Sequence, residues 1–238
     1  MEPNTQNKKM DIDMRKAMPT IDEKDPKFGQ LWWFNKPESS KFIKGTGIQV
    51  SPKAETDFWR KTYRSPAHSS ISGHALVTGF PAGWNKCHGE VTFSIDPKIL
   101  YDQAGIIVYI DPKNWIKAGI EMEKGVPRMS CVVTQGQSDW SYFTWNQDLN
   151  DIKLRLTANL YKKDNIVDCL IEYYDAKKQW QFLREAPLRI PEKEVEKEEI
   201  KSDIWLGCMC CAPQKKLASK PENSMTATFS RLTVTQIK

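Results

Sequence analysis

The 238-residue sequence has no long apolar stretch and no recognisable targeting segment. Its longest uninterrupted apolar run, from Ala104 to Ile110, spans about seven residues, whereas a helix that crosses a bilayer needs about 20. We also expect no signal peptide, because acidic residues such as Asp11 and Asp13 lie where its apolar centre would be. The sequence therefore predicts a cytoplasmic protein without membrane association, in which the six cysteines are reduced.

A concentrated basic stripe is likewise missing. Lys and Arg exceed Asp and Glu by only 35 − 30 = 5, and residues of both signs are interleaved along the chain. Proteins that bind nucleic acid usually gather their cations on one face or carry a recognisable motif. We therefore expect no nucleic-acid partner.

Motifs for common catalytic and metal-binding chemistries are absent as well. No Gly-x-Ser-x-Gly elbow accompanies the scattered histidines, and Gly45-Thr-Gly47 lacks the rest of a phosphate-binding loop. The segment Cys208-Met-Cys-Cys211 has a Cys-x-x-Cys spacing, but there is no second pair. On a strand, Cys208 and Cys210 would point to one face and Cys211 to the other. We therefore expect buried thiols, no metal site and no cofactor.

Short runs rich in Val, Ile, Phe, Tyr and Trp recur between Gly, Pro, Asn and Asp turn signals, with no helical segments between them. Within them apolar residues alternate with polar ones, as in Lys153-Leu-Arg-Leu-Thr157, which is typical of strands with one buried face. Regular short strands predict an all-β sandwich or barrel. The predicted strands are 47–50, 75–80, 89–95, 104–110, 115–121, 128–134, 152–161, 166–174, 180–188, 204–212 and 224–236.

Two segments lack this pattern. Residues 1–27 are polar and almost without apolar periodicity, so we predict a disordered N-terminal tail. Residues 192–203 hold six acids and three lysines, which indicates a solvated, charged insertion within the domain. The sequence thus predicts one domain over residues 28–238 behind a mobile tail.

Several segments carry a family resemblance. The block from Tyr101 to Glu121, the segments 129–134, 138–141 and 56–62, and Cys211-Ala-Pro213 with Phe229 occur in the order seen in one group of proteins. They resemble the concanavalin A-like domain family that includes the fungal regulation-of-enolase proteins and is related to C-terminal modules of β-xylosidases. The resemblance covers Leu31 to about Val234.

This resemblance implies a jelly-roll β-sandwich of two antiparallel sheets. It also implies a concave sheet, which is the surface on which related lectins and glucanases hold sugars. It implies no established reaction, since fold alone does not decide function. A link to enolase is suggested by the resemblance, and the tail, the charged insertion and the cysteine-rich segment depart from the family pattern.

A polar set spread over the predicted strands is the candidate ligand site. Lys117, Gly119 and Glu121 lie two apart and would share a face, with Gly119 leaving space between a cation and an anion. Such a set would clasp a hydroxylated ligand while a tryptophan stacks on it. The alternative is a cross-strand ion pair on a solvated face, contributing less than ~1 kcal/mol. The predicted ligand-binding residues are Arg60, Gln103, Trp115, Lys117, Glu121, Asp139 and Trp140, with Asp57, Trp59 and Thr134 nearby.

We predict a non-catalytic binding module for a sugar or sugar phosphate, with a metabolic enzyme as a possible protein partner. One alternative is a glycoside hydrolase, which would need two carboxylates about 5–9 Å apart. Glu121 with Asp139 or Asp102 is the only pair that we nominate, although a Glu-x-Asp-x-x-Glu motif is absent. The other alternative is a protein-interaction domain that uses residues 32–34 or the charged insertion.

Overall fold

The computed structural model describes residues 8–22, 27–61, 66–191, 204–215 and 225–237. These ranges contain eighteen strands and no helix, so none of their segments is a helix that could span a membrane. In chain order the strands are β1 (Lys9–Asp13), β2 (Ile21–Asp22), β3 (Leu31–Phe34), β4 (Ser39–Ile43), β5 (Gly47–Ser51), β6 (Phe58–Arg60), β7 (Ser69–Ile71), β8 (His74–Gly79), β9 (Lys86–Asp96), β10 (Gln103–Asp111), β11 (Asn114–Glu123), β12 (Val126–Gln135), β13 (Gln137–Thr144), β14 (Ile152–Tyr161), β15 (Ile166–Tyr174), β16 (Trp180–Arg189), β17 (Trp205–Cys211) and β18 (Thr226–Ile237).

Two eight-stranded sheets make up the sandwich. The first sheet runs β16-β15-β14-β9-β18-β5-β4, with β1 also paired to β18. The second sheet runs β13-β12-β11-β10-β17-β8-β3-β2, and β6 and β7 form a separate hairpin. Neighbouring strands are antiparallel except for β2 and β3. The predicted all-β jelly-roll sandwich is therefore confirmed.

The main core lies between the sheets, where apolar residues alternate along strands such as β9, while β8, β10 and β17 are buried on both faces. On β14 the inward residues Leu154 and Leu156 are fully buried, and on β10 Ile106 and Val108 face them from the second sheet. Burying one such side chain stabilises the fold by about 1.5–3 kcal/mol relative to leaving it in water. The same alternation sends every second residue of the second sheet to the opposite face, where the candidate site lies.

The N-terminal segment differs from the predicted tail. Residues 9–13 form β1, which pairs antiparallel with β18, and Arg231 holds Asp11 through two hydrogen bonds, the shorter at 2.7 Å. Met10 and Met14 enter the core, and Met14 has no exposed surface. The polar composition predicted that the entropy cost of ordering this segment would exceed its contacts. Two buried methionines and the backbone pairing with β18 offset that cost. The predicted disorder is therefore wrong for residues 8–22, while residues 1–7, 23–26 and the charged insertion 192–203 lie outside the described ranges.

Strand β13 and the β6–β7 hairpin were not predicted. After β12 the chain reverses within a tight turn at Gly136, whose φ of 73° favours glycine. Strand β13 then runs along the edge of the second sheet, where one side faces no neighbouring strand. Its side chains are largely exposed, so its sequence shows no apolar alternation.

Candidate functional site

The candidate site lies on the outer face of the second sheet, meaning the face turned away from the first sheet. The β6–β7 hairpin covers part of this face. Phe58 of β6 is fully buried against Trp115, with ring centroids 6.0 Å apart. The backbone N–H of Arg60 donates to Ser138 Oγ at 2.9 Å, and its Nε donates to the Gly136 carbonyl at 2.9 Å. The hairpin is therefore fixed to the sheet by an aromatic anchor and by hydrogen bonds.

A buried polar cluster, formed by Asp57, Gln103, Lys117, Glu121 and Ser130, lies beside this hairpin. Lys117 Nζ donates to Asp57 Oδ1 at 3.1 Å, and Gln103 Nε2 donates to the same oxygen at 3.3 Å. Ser130 Oγ donates to Glu121 Oε2 at 3.1 Å. Lys117 is 3% exposed and Glu121 is 7% exposed. The cluster thus holds Lys117 and Glu121 almost out of contact with water, while the Asp57 side chain is 15% exposed and also lies 3.6 Å from the exposed His68.

Two glycines form the floor of the polar cluster. Gly105 of β10 lies directly opposite Gly119 of β11, between the pair Gln103 and Glu121 and the row that contains Lys117. A Cβ atom on Gly119 would lie 2.0 Å from the carbonyl oxygen of Ala104, so no larger residue fits. The floor therefore carries no side chains, as the spacing of Lys117, Gly119 and Glu121 predicted.

Burial and charge act in opposite directions on the two ionisable groups of β11. Burial raises the pKa of Glu121, and the Asp57 carboxylate raises it further, while Lys117, Ser130 and Trp140 lower it. The net result is a raised pKa. For Lys117, burial lowers the pKa, but Asp57 and Glu121 outweigh it and the pKa is raised. Lys117 therefore stays protonated, while Glu121 takes up a proton more readily than an exposed glutamate.

Polar atoms without partners surround this cluster. Within the described ranges, Gln103 Oε1 and the indole nitrogens of Trp59, Trp115 and Trp140 are buried without a hydrogen bond. The Trp140 N–H nevertheless lies near enough to the Glu121 carboxyl group to lower its pKa. Most buried polar groups in folded proteins are hydrogen-bonded. Of these atoms, the acceptor Gln103 Oε1 and the donor Trp140 Nε1 lie beside Glu121, as does Arg128 Nε, a further buried donor without a partner in the same ranges.

Aromatic side chains border the cluster toward solvent. The rings of Tyr101 and Trp140 meet edge to face with their centroids 6.3 Å apart. The ring centroids of Trp140 and Tyr142 lie 4.5 Å apart. Tyr142 is 44% exposed. Tyr101, Tyr142 and Ser130 were not among the predicted residues. The turn at 124–125 carries the signal for Ser130, because that turn sets the register in which Gly119 pairs with Ser130. The turn at Gly136 in the same way sets the register in which Ser130 pairs with Tyr142.

Some predicted site residues lie elsewhere. Arg60 anchors the hairpin beside Ser138, and Trp115 is fully buried beneath Phe58, so its ring is not free to stack on a ligand. Asp139 points to the opposite face of the sheet, where it accepts a 2.7 Å hydrogen bond from Arg184 of the first sheet. Gln103, Lys117, Glu121 and Trp140 are the predicted residues that the fold brings together.

The carboxyl pairs nominated for hydrolysis do not form. Asp102 lies one residue from Gln103 and so faces the other way, where it accepts hydrogen bonds from the backbone N–H groups of Lys98 and Ile99. The carboxyl group that shares Lys117 with Glu121 is instead Asp57. The alternative prediction, a cross-strand ion pair on a solvated face, is wrong. Lys117 is buried, and its partner is Asp57 in the segment before β6.

The thiols follow the predicted alternation. Cys208 and Cys210 pack in the core between the sheets, while Cys211 packs on the outer face, and all three are fully buried. Burial raises the pKa of each of these thiols. In the part of the chain that the structure describes, no group of His, Cys, Asp and Glu side chains is arranged to hold a metal ion.

A shallow groove of about 530 Å³ lies at the far end of the sandwich from Glu121. It is formed by the β10–β11 turn, the β14–β15 turn and the end of β16, and it contains none of the polar cluster. Its lining residues are Asp111, Pro112, Lys113, Asn114, Asp164, Asn165, Arg189, Ile190 and Pro191.

Comparison with known proteins finds relatives over almost the whole chain. A model of a protein family of unknown function, DUF1349, matches residues 33–237. Regulation of enolase protein 1 of Saccharomyces cerevisiae is 32% identical over 216 residues, which cover 90% of this chain and 94% of the yeast protein. A functionally unknown protein from Saccharomyces cerevisiae superposes with a TM-score of 0.65 at 29% identity, over 87% of this chain and 96% of that one.

A more distant structural neighbour is a mutant of the GH43 protein BlXynB from Bacillus licheniformis. It superposes with a TM-score of 0.58 at 13% identity, over 85% of this chain but only 36% of the bacterial protein. At this level of identity the likeness shows the fold alone. It agrees with the sandwich and carries no information on activity.

Proposed function

Because this chain belongs to the DUF1349 family, whose function is unknown, we propose from its site that it is a non-catalytic binding module for a small hydroxylated ligand. The ligand would lie on the outer face of the second sheet, over Gly105 and Gly119. Trp140 would lie against its apolar face, and Lys117, Glu121 and Gln103 would bond its hydroxyl groups. A sugar or sugar phosphate is the ligand class that this chemistry fits.

The observation that carries the proposal is the set of unpartnered buried polar atoms around a side-chain-free floor. Gln103 Oε1 and Trp140 Nε1 lie next to Glu121 and have no hydrogen bond among the described residues. Leaving a buried donor or acceptor unpaired costs about 1–3 kcal/mol each. A hydroxyl group donates and accepts at once, so one ligand would satisfy atoms of both kinds.

The name of the yeast relative suggests a role for the ligand. That protein is named for regulation of enolase. We extend this to the present chain as a proposal: it acts in the cytoplasm on a metabolic enzyme, and the bound ligand reports metabolic state. This part of the proposal rests on the relationship between the sequences and not on the geometry of the site.

A thermal-shift screen with monosaccharides and their phosphates tests the binding proposal. A ligand at 100 times its dissociation constant adds about 2.7 kcal/mol of stability, which raises Tm by roughly 5–11 °C for a domain of this size. Trp140→Ala should abolish that rise. Trp180→Ala is the matched control, because Trp180 lies on β16 of the first sheet and should leave the rise unchanged.

Two results would contradict the proposal. One is a ligand-induced rise in Tm that survives in Trp140→Ala. The other is turnover of a chromogenic glycoside that is lost in Glu121→Gln, since the raised pKa of Glu121 would also suit a general acid. The second result would assign hydrolysis with Asp57 and Glu121 as the carboxyl pair.

A further inference from the structure

The charges around the polar cluster indicate which kind of hydroxylated ligand fits. Two cations lie near its floor, and each already has a carboxylate partner. Lys117 Nζ lies 3.1 Å from Asp57 Oδ1, and Arg128 Nη2 lies 3.2 Å from Glu123 Oε2. Glu121 makes no ion-pair contact within 4 Å among the described residues, although Lys117, two residues away, is near enough to lower its pKa.

A phosphate group would therefore find no free cation in the described part of this site. It would have to displace Asp57 from Lys117, which would leave that carboxylate only the exposed His68 at 3.6 Å. Otherwise it would have to displace Glu123 from Arg128, which would leave that carboxylate only the exposed Lys124 at 3.4 Å. Breaking a buried pair in this way is costly because it leaves an uncompensated charge. A phosphate dianion near Glu121 would also repel that carboxylate whenever it is ionised.

The hydrogen-bonding inventory leads to the same conclusion. The acceptors near the floor, Gln103 Oε1 and the Glu121 carboxyl oxygens, need a ligand that donates. Trp140 Nε1 and Arg128 Nε, the latter on the residue opposite Glu121, are buried without a hydrogen bond among the described residues and need one that accepts. A hydroxyl group does both, whereas a phosphate dianion only accepts.

We infer that the outer-face site selects uncharged polyhydroxylated ligands and discriminates against their phosphorylated forms, on account of its paired cations and its unpaired Glu121. This inference rests on the proposed function. It narrows the ligand class from sugars and sugar phosphates together to neutral sugars and polyols.

Isothermal titration calorimetry with matched ligand pairs tests the inference. The probes are glucose with glucose 6-phosphate, mannose with mannose 6-phosphate and fructose with fructose 6-phosphate, all at one ionic strength. For the pair that binds, we expect the phosphate to bind at least about tenfold more weakly than the neutral sugar. Glu121→Gln should lower the ratio of the two dissociation constants, phosphate over neutral sugar, because it removes the carboxylate charge and keeps an acceptor oxygen. Asp139→Asn makes the same chemical change on the opposite face and should leave the ratio unchanged.

The outcomes separate the inference from the proposed function. A phosphate that binds as tightly as its neutral partner, or more tightly, overturns the inference and leaves a hydroxylated-ligand site in place. An unchanged ratio in Glu121→Gln removes Glu121 as the cause and overturns the inference in the form argued. If no member of any pair binds, the proposed function fails and the inference fails with it.

Discussion

Lys117 is the residue on which the outer face depends most. It lies on the central part of the second sheet, 3% exposed, with Asp57 as its direct partner and Glu121 two residues away. A buried charge is stable only while its partner remains, because the desolvation cost is met by that attraction. The same contact also ties the segment before β6 to the sheet.

Lys117→Met should therefore destabilise the protein by about 3–5 kcal/mol, since it leaves the Asp57 carboxylate without its cation and removes the attraction that Lys117 exerts on Glu121. Urea unfolding measures this change. Lys98→Met is the matched control, because the Lys98–Asp96 pair is largely exposed, and we expect an effect of at most about 1 kcal/mol. Equal effects of the two substitutions would show that the Lys117 pair is not buried as described.

His74 gives the fold a pH dependence. Its ring is buried, with Nε2 accepting from the backbone N–H of Lys53 at 3.0 Å and Nδ1 lying 2.6 Å from the Asn35 carbonyl oxygen. Burial lowers the pKa of His74, although the hydrogen bond to Asn35 raises it. The unfolded chain therefore binds a proton at His74 more readily than the folded chain does. The buried, neutral His74 ring therefore contributes fully to the free energy of unfolding above about pH 6.5. This contribution is lost as the pH falls below that value toward the pKa of His74 in the folded chain.

Urea unfolding of the wild type and of His74→Gln at pH 7.5 and 5.5 tests this dependence. We expect the wild type to lose more stability over that range than the variant. The raised pKa of Glu121 acts in the opposite direction, but it does so in both proteins, so the difference between them reports His74. The same loss in the two proteins would contradict the assignment.

At the scale of elements, β1 extends the first sheet beyond the part that the family model covers, which begins at residue 33. Its anchor is Met14, which has no exposed surface, whereas Met18 is 46% exposed. Met14→Ala should cost about 2–5 kcal/mol, and Met18→Ala should stay within about 0.5 kcal/mol. Equilibrium unfolding of the two variants tests whether β1 is part of the folded domain, and equal small effects would contradict it.

Strands with a buried face could be predicted from their apolar residues alone. β14 lies where apolar alternation predicts it, and β10 and β11, which are buried on both faces, lie where short runs of apolar residues predict them. β1 and β13 lie at positions where few side chains are buried, so their sequences resemble tails and loops. Their backbone pairing depends on distant partners, β18 and β12, which composition does not reveal.

At the scale of the whole molecule, strand alternation sends the polar residues of the second sheet to two faces, the outer face and the face toward the first sheet. Strand alternation was sufficient to predict that Lys117 and Glu121 share a face, because both lie on β11. It was not sufficient to predict that Asp57 binds Lys117, a contact that depends on how the hairpin folds over the sheet. Asp139 was grouped with the site residues although no strand was predicted around it, and the register of β13 turns it to the opposite face.

The location of the ligand is the central claim, and the indole signals of the nine tryptophans test it most directly. A titration with the neutral sugar that binds, followed by ¹⁵N–¹H NMR and assigned with Trp→Phe variants, should shift the indole signal of Trp140. The signal of Trp145, whose Nε1 donates to the Asp148 carbonyl at 3.1 Å, should stay unchanged. Shifts confined to Trp145 or Trp180, with Trp140 unmoved, would place the ligand elsewhere and contradict the account.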